Sequence, residues 1–167
     1  MKNSMSIIGG ADGPTSVFVA GKLGIGWLNG FGLILVVLLL IPNIIYAVRA
    51  KDQHNQCPNK VMNVIEQVGR YSCMFLMVFN IGIAEFGFHS VSAFLVYLFG
   101  NVLIMLGYWI VWMLYFIKQT YRKQMVLTLL PTFLFLLSGI TMQHHLLIVA
   151  SIIFGIGHIY VTSKNKL

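Results

Sequence analysis

Long runs of apolar residues without charge limit the folds open to this chain. The first run reads FGLILVVLLLIPNIIYAV, from Phe31 to Val48. A helix that crosses the hydrocarbon core of a bilayer needs about 20 such residues, because each residue adds about 1.5 Å. Apolar residues make up 58% of the 167-residue chain and charged residues 9%, whereas soluble domains average roughly 45–50% and about 25%. The sequence therefore predicts an all-α integral membrane protein embedded in the lipid bilayer.

The apolar runs predict about five transmembrane helices in a single bundle over residues 31–167, preceded by a glycine-rich segment over residues 1–30. A polar loop from Arg49 to Gln67 follows the first helix. The predicted helices cover residues 31–48, 68–88, 91–117, 125–142 and 146–162.

The positive residues predict how the bundle is oriented. The net charge of +7 comes from Lys and Arg grouped between the apolar runs, which is typical of loops held on the cytoplasmic side. All eleven except Lys2 and Lys22 fall on one side of the predicted topology. We therefore expect a multi-pass protein of the cell membrane with a cytoplasmic C-terminus and an external N-terminus. The basic charge reports this topology, and we do not expect nucleic-acid binding.

The N-terminal segment differs from the rest because glycine and proline interrupt it. Its centre reads IIGGADGPTSVFVAGKL, from Ile7 to Leu23. A continuous helix through Gly13 and Pro14 is disfavoured, because proline restricts the residue before it and glycine costs about 1 kcal/mol in a helix. We predict a broken or re-entrant segment, with a short helix beginning at Pro14.

Asp12 supports two interpretations. It precedes the short helix, so it can act as a capping residue in an ordinary surface turn. Alternatively, its carboxylate can join the main-chain carbonyls of Gly9 and Gly10 and the Thr15 hydroxyl in an oxygen-lined site for a hard cation. Secondary transporters place ion sites at such broken helices.

The stretch from Ile7 to Leu23 resembles the signature segment of the beta subunit of biotin-dependent, sodium-translocating decarboxylases, which act on oxaloacetate, methylmalonyl-CoA or glutaconyl-CoA. The resemblance implies that Asp12 takes part in binding Na⁺. It covers about a tenth of the chain, and the longer beta subunits carry further helices that have no counterpart here. The sequence contains no biotinylation site resembling AMKM, so biotin would be carried by a partner subunit.

Three polar residues fall inside the predicted second and third helices. Ionisable groups at membrane depth are costly and often functional, so Glu85 is a candidate site residue. Asn80 and Asn101 are predicted near the middle of neighbouring antiparallel helices, where facing amides can bond for about 1 kcal/mol or less. These residues are secondary candidates beside the Asp12 site.

Other polar residues have simpler interpretations. Glu66 and Arg70 are spaced to form a helix-face pair at the start of the second helix. His144 and His145 are predicted to be solvated in a loop. The two cysteines have no zinc-like spacing and are predicted to be free thiols.

Three hypotheses about function remain. The first is a membrane component linked to sodium ion transport and related to the decarboxylase beta subunit. The second is a small multi-pass protein that acts through helix–helix interactions with other membrane subunits and carries the motif as a non-transporting remnant. The third, an intramembrane enzyme using Glu85 with His144 or His145, ranks last because no nucleophile–base spacing supports it. We therefore expect no independent catalytic activity, and any decarboxylation would occur on partner subunits.

Overall fold

The part of the chain that the structure describes folds as a bundle of five α-helices. A computed structural model describes residues 27–49, 57–81, 88 and 90–165. The four helices α1, α3, α4 and α5 are long and apolar enough to cross a membrane, which confirms an all-α, multi-pass membrane protein. The helices are α1 (Gly30–Arg49), α2 (Lys60–Val78), α3 (Val91–Ile117), α4 (Tyr121–Thr141) and α5 (His145–Lys164).

Helix α2 differs most from its predicted position. The sequence predicted residues 68–88, but the helix begins at Lys60, where the Asn59 side chain accepts hydrogen bonds from the Val61 and Met62 amides. It ends at Val78, and Phe79 is extended. Apolar content marked residues 60–67 as a loop because several are polar. These residues are nevertheless helical, and Glu66 is turned into the bundle.

Helix α2 packs against α5 through glycines that bring the two backbones close together. A Cβ on Gly69 would lie 2.8 Å from the Cα of Phe154, and one on Gly157 would lie 2.9 Å from the Cα of Glu66. Only hydrogen fits at these two positions. Small residues allow such close approach between membrane helices, so α2 and α5 cross closely at these two glycines.

Helix α1 contains Pro42, and the packing around it compensates for the proline. Proline has no N–H to bond the carbonyl four residues earlier, which here belongs to Leu38. That carbonyl accepts a hydrogen bond from Trp109 Nε1 of α3 at 3.3 Å. The adjacent Asn43 side chain donates to the Leu39 carbonyl and to the Tyr108 hydroxyl, both at 2.8 Å. The freed backbone group is thus paired by a neighbouring helix, as membrane interiors require.

Helices α3, α4 and α5 complete the core. Phe135 of α4 meets Phe154 of α5 edge-on, with ring centroids 5.9 Å apart. A left-handed residue, Gln143 at φ 54°, turns the chain from α4 into α5. The His144 amide then donates to the Gly139 carbonyl at 2.8 Å, which satisfies the end of α4.

Candidate functional site

The N-terminal cation-site candidates Gly9, Gly10, Asp12 and Thr15 lie outside the described residues, and so does Glu85. Their predicted roles therefore remain predictions. The described residues do show how the chain on either side of these candidates joins the bundle.

A short antiparallel bridge joins the segment that follows the glycine-rich stretch to the segment that follows α2. Leu28 pairs with Phe79. The Asn29 amide donates to the Val78 carbonyl at 2.7 Å, and the Asn80 amide donates to the Trp27 carbonyl at 2.8 Å. The bridge therefore places the end of the N-terminal segment beside the chain that leads towards Glu85.

Side chains from three elements reinforce this bridge. Asn29 Oδ1 accepts from the Gly32 amide at 3.0 Å and so caps α1, while its Nδ2 lies 3.3 Å from the Met142 sulfur after α4. The Trp27 and Phe79 rings stack with centroids 5.6 Å apart. The bridge is thus fixed to the helix bundle by both polar and aromatic contacts.

His144 is buried, in contrast to the solvated position predicted for it. It is 1% exposed, its Nδ1 accepts from the Leu147 amide at 3.3 Å as the cap of α5, and it interacts with the Phe79 main chain. Burial lowers the pKa of His144, although its hydrogen bonds to main-chain groups oppose that shift. His145 is exposed, as predicted. His144 therefore joins the α4–α5 turn to the bridge.

The two asparagine candidates do not lie at matched positions in neighbouring helices. Asn80 follows the end of α2, in the bridge, and its buried Oδ1 has no hydrogen-bond partner among the residues that the structure describes. Asn101 lies in α3, 1% exposed. It donates to the Tyr97 carbonyl at 2.8 Å and accepts from Ser138 of α4 at 3.2 Å. Asn101 therefore connects α3 to α4, and its role in the described structure is packing.

A second polar cluster, which we call the Glu66 cluster, consists of Glu66, Arg70 and His158. The predicted pair between Glu66 and Arg70 is present. His158 of α5 joins it, with Nδ1 3.0 Å from the same carboxylate oxygen, Oε1. Glu66 is only 6% exposed, so its carboxylate is buried between helices, whereas the Arg70 side chain is 40% exposed.

The helix crossing holds the Glu66 cluster in place. Gly157 packs against the Glu66 backbone, which brings the next residue, His158, alongside the carboxylate. The imidazole stacks on Phe154 with centroids 4.8 Å apart and an interplanar angle of 20°. The ring orientation is therefore fixed by packing on one side and by the carboxylate on the other.

The Glu66 cluster has a defined charge arrangement. A carboxylate that accepts two hydrogen bonds is ionised, and Arg70 remains charged. A neutral His158 that donates through Nδ1 leaves the cluster without net charge, which is the least costly state at membrane depth. The charge of Arg70 also acts on the Tyr108 hydroxyl of α3.

Sequence reasoning did not find the role of His158. Ninety-two positions separate it from Glu66, so no local spacing connects them. The available signals were a carboxylate in a predicted loop and a Gly–His pair, Gly157 and His158, inside an apolar helix. Among the residues that the structure describes, no group of three or more His, Cys, Asp or Glu is placed to hold a metal ion. Comparison of the chain with protein-family models, curated proteins and solved structures found no match.

Proposed function

We propose that this protein is a membrane component linked to sodium ion transport and related to, or derived from, the decarboxylase beta subunit. Its Na⁺ site would be formed by the Asp12 carboxylate, the Gly9 and Gly10 carbonyls and the Thr15 hydroxyl, all of them hard oxygen ligands. The specific sequence GGADGPT, attached to a helical membrane bundle, is the first support for this proposal.

The observation that carries the proposal furthest is the bridge between Leu28 and Phe79. It begins only a few residues after Leu23, where the resemblance ends, and its backbone hydrogen bonds attach residues 27–29 to the bundle. A segment that continues directly into such an attachment could transmit ion binding to the helices. The other side of the bridge, residues 78–80, precedes Glu85 by a few residues in the sequence.

The partners and the orientation belong to the same proposal. This chain would supply the ion-binding element, and separate subunits would carry biotin and the decarboxylation chemistry. The Lys- and Arg-rich ends of the helices would face the cytoplasm of a cell membrane, with the glycine-rich segment entering from outside.

Sodium-dependent stability tests the proposal directly. The full chain, purified in detergent, should unfold at a higher temperature in Na⁺ than in K⁺ at equal ionic strength, because a ligand that binds only the folded state stabilises it by about 2.7 kcal/mol at 100 times its Kd. Asp12→Asn should abolish the difference. Asp52→Asn, the matched change at the other aspartate of the chain, should preserve it.

Sodium flux into proteoliposomes gives a second measurement, which should depend on Asp12 in the same way. Equal stability of the wild-type chain in Na⁺ and K⁺ would refute the sodium proposal. The remaining hypothesis would then be a multi-pass protein that acts through helix–helix interactions.

A further inference from the structure

The Glu66 cluster lies inside the bundle but close to one end of it. Glu66 is six residues after Lys60, the first residue of α2, and His158 is six residues before Lys164, the last residue of α5. Six residues of helix span about 9 Å. The cluster therefore lies about 9 Å along the helices from Lys60 and Lys164, and α5 is a candidate membrane span.

The two ring nitrogens of His158 differ in protonation. The Nδ1 atom of His158 must carry hydrogen because it donates to the Glu66 carboxylate. Its other ring nitrogen, Nε2, is then the basic atom of the neutral imidazole. The His158 side chain is 20% exposed and that of Arg70 is 40% exposed, compared with 8% for the Glu66 side chain. The cluster is therefore partly accessible through its two basic members.

We propose that the Glu66 cluster is a proton-binding site in the membrane bundle, which accepts one proton at His158 Nε2 from the side of Lys60 and Lys164. The carboxylate shared by Arg70 and His158 stabilises the imidazolium that forms. The proton adds to the Nε2 lone pair, no other bond breaks, and the cluster changes from neutral to a charge of +1. Chains of carboxylates and histidines in membrane helices serve as proton relays.

The proton affinity of His158 depends on two neighbours of opposite charge, Glu66 and Arg70. Glu66 attracts the additional positive charge and Arg70 repels it, and a charge within about 4–6 Å changes proton affinity by one to three pH units. Among the described residues, the other groups shown in contact with the cluster are uncharged: the Phe154 ring stacks on the His158 imidazole, and Gly157 packs against the Glu66 backbone. The charge of Arg70 also acts on one further titratable group, the Tyr108 hydroxyl of α3.

Histidine NMR can detect this site in the intact protein. The full chain, labelled in its imidazole rings with ¹³C and ¹⁵N and placed in nanodiscs in K⁺ buffer, would be titrated between pH 4.5 and 9. The His158 signal is identified by its loss in His158→Gln. A reversible transition of that signal, whose chemical shifts report protonation of Nε2 with Nδ1 already protonated, supports the proposal. A His158 signal that does not titrate overturns it.

Two nearly isosteric changes should move the transition in opposite directions. Arg70→Gln removes the repelling charge and should raise the midpoint by one pH unit or more, while Glu66→Gln should lower it by at least as much. Arg70→Lys keeps the charge and should remain near the wild-type midpoint. The exposed His145 is an internal control and should not respond to any of these changes.

A purely structural cluster would give a different result. Loss of packing would move the His158 midpoints of both glutamine variants in the same direction, towards that of a solvated imidazole, and such a result would overturn the proposal. If one variant fails to fold, the wild-type transition and the other variant still decide the outcome. Sodium is absent from the experiment, so failure of the sodium proposal leaves this test unaffected.

Discussion

Gly69→Ala tests whether the close α2–α5 crossing stabilises the bundle. The new methyl group would lie 2.8 Å from the Phe154 Cα, 2.9 Å from its nitrogen and 3.0 Å from its Cβ. Two of these atoms belong to helix backbone, which cannot rotate away as a flexible side chain could. The substitution must therefore separate α2 and α5 or bend one of them.

The magnitude follows from two opposing effects. Overpacking of a close contact costs about 1–3 kcal/mol, and the cost at Gly69 should be near the upper end because the obstruction is backbone. Alanine regains about 1 kcal/mol of helix propensity. We expect a net loss of about 1–2 kcal/mol in the free energy of unfolding.

Gly107→Ala is the matched control, since a Cβ at Gly107 of α3 meets nothing within 4 Å. It should keep the gain in helix propensity without a packing cost. Equilibrium unfolding in mixed micelles, followed by circular dichroism, should place Gly69→Ala about 2–3 kcal/mol below Gly107→Ala. Equal stability of the two variants would refute the proposed crossing geometry.

Three further predictions concern polar and turn residues. Ser138→Ala removes the donor to the Asn101 carboxamide and should cost about 1 kcal/mol in the same unfolding assay; no loss would mean that the contact contributes nothing. Gln143→Gly relieves a left-handed residue and should stabilise the bundle by roughly 1 kcal/mol, whereas destabilisation would contradict the turn geometry. His144→Asn keeps a capping side chain but removes a histidine whose folded pKa is lowered by burial. The unfolded state therefore binds a proton more readily than the folded state, so the free energy of unfolding of the wild type should fall as the pH drops below about 6.5, by up to about 1.4 kcal/mol per pH unit. The variant should lack this loss. Parallel pH profiles of wild-type and variant stability would contradict the prediction.

The apolar runs were sufficient to predict most of the fold. Helix α3 occupies residues 91–117 as predicted, because Ser90 caps its start through a hydrogen bond to the Ala93 amide and the apolar run stops at Lys118. Helices α1, α4 and α5 differ from prediction by only a few residues at either end. In these helices the same residues are both apolar and helical, so the apolar run in the sequence predicts where each helix begins and ends.

The candidate sites depend on pairings that a linear pattern does not contain. The bridge at Leu28 involves only three residues on each side and has no strand-like alternation to reveal it. The buried His144 interacts with the main chain of Phe79, which is distant in the sequence. Asn101 was recognised as an intramembrane amide, but its partner Ser138 could not be identified before the α3–α4 packing was known.

The bounds of helix α2 were predicted wrongly because a charged residue of this helix is buried and many of its apolar residues are exposed. Its acidic residue, Glu66, is buried against α5, and the charged residues of the helix reduce the apolar content by which membrane spans are recognised. The face left exposed is apolar, with a spacing of three and four residues that forms one stripe along a helix. In water this arrangement would be costly on both faces. In a bilayer such a stripe would contact lipid while Glu66 is paired with Arg70 and His158 inside the bundle, but α2 is not among the four helices long and apolar enough to cross a membrane. The stripe consists of Val61, Val64, Val68, Tyr71 and Phe75.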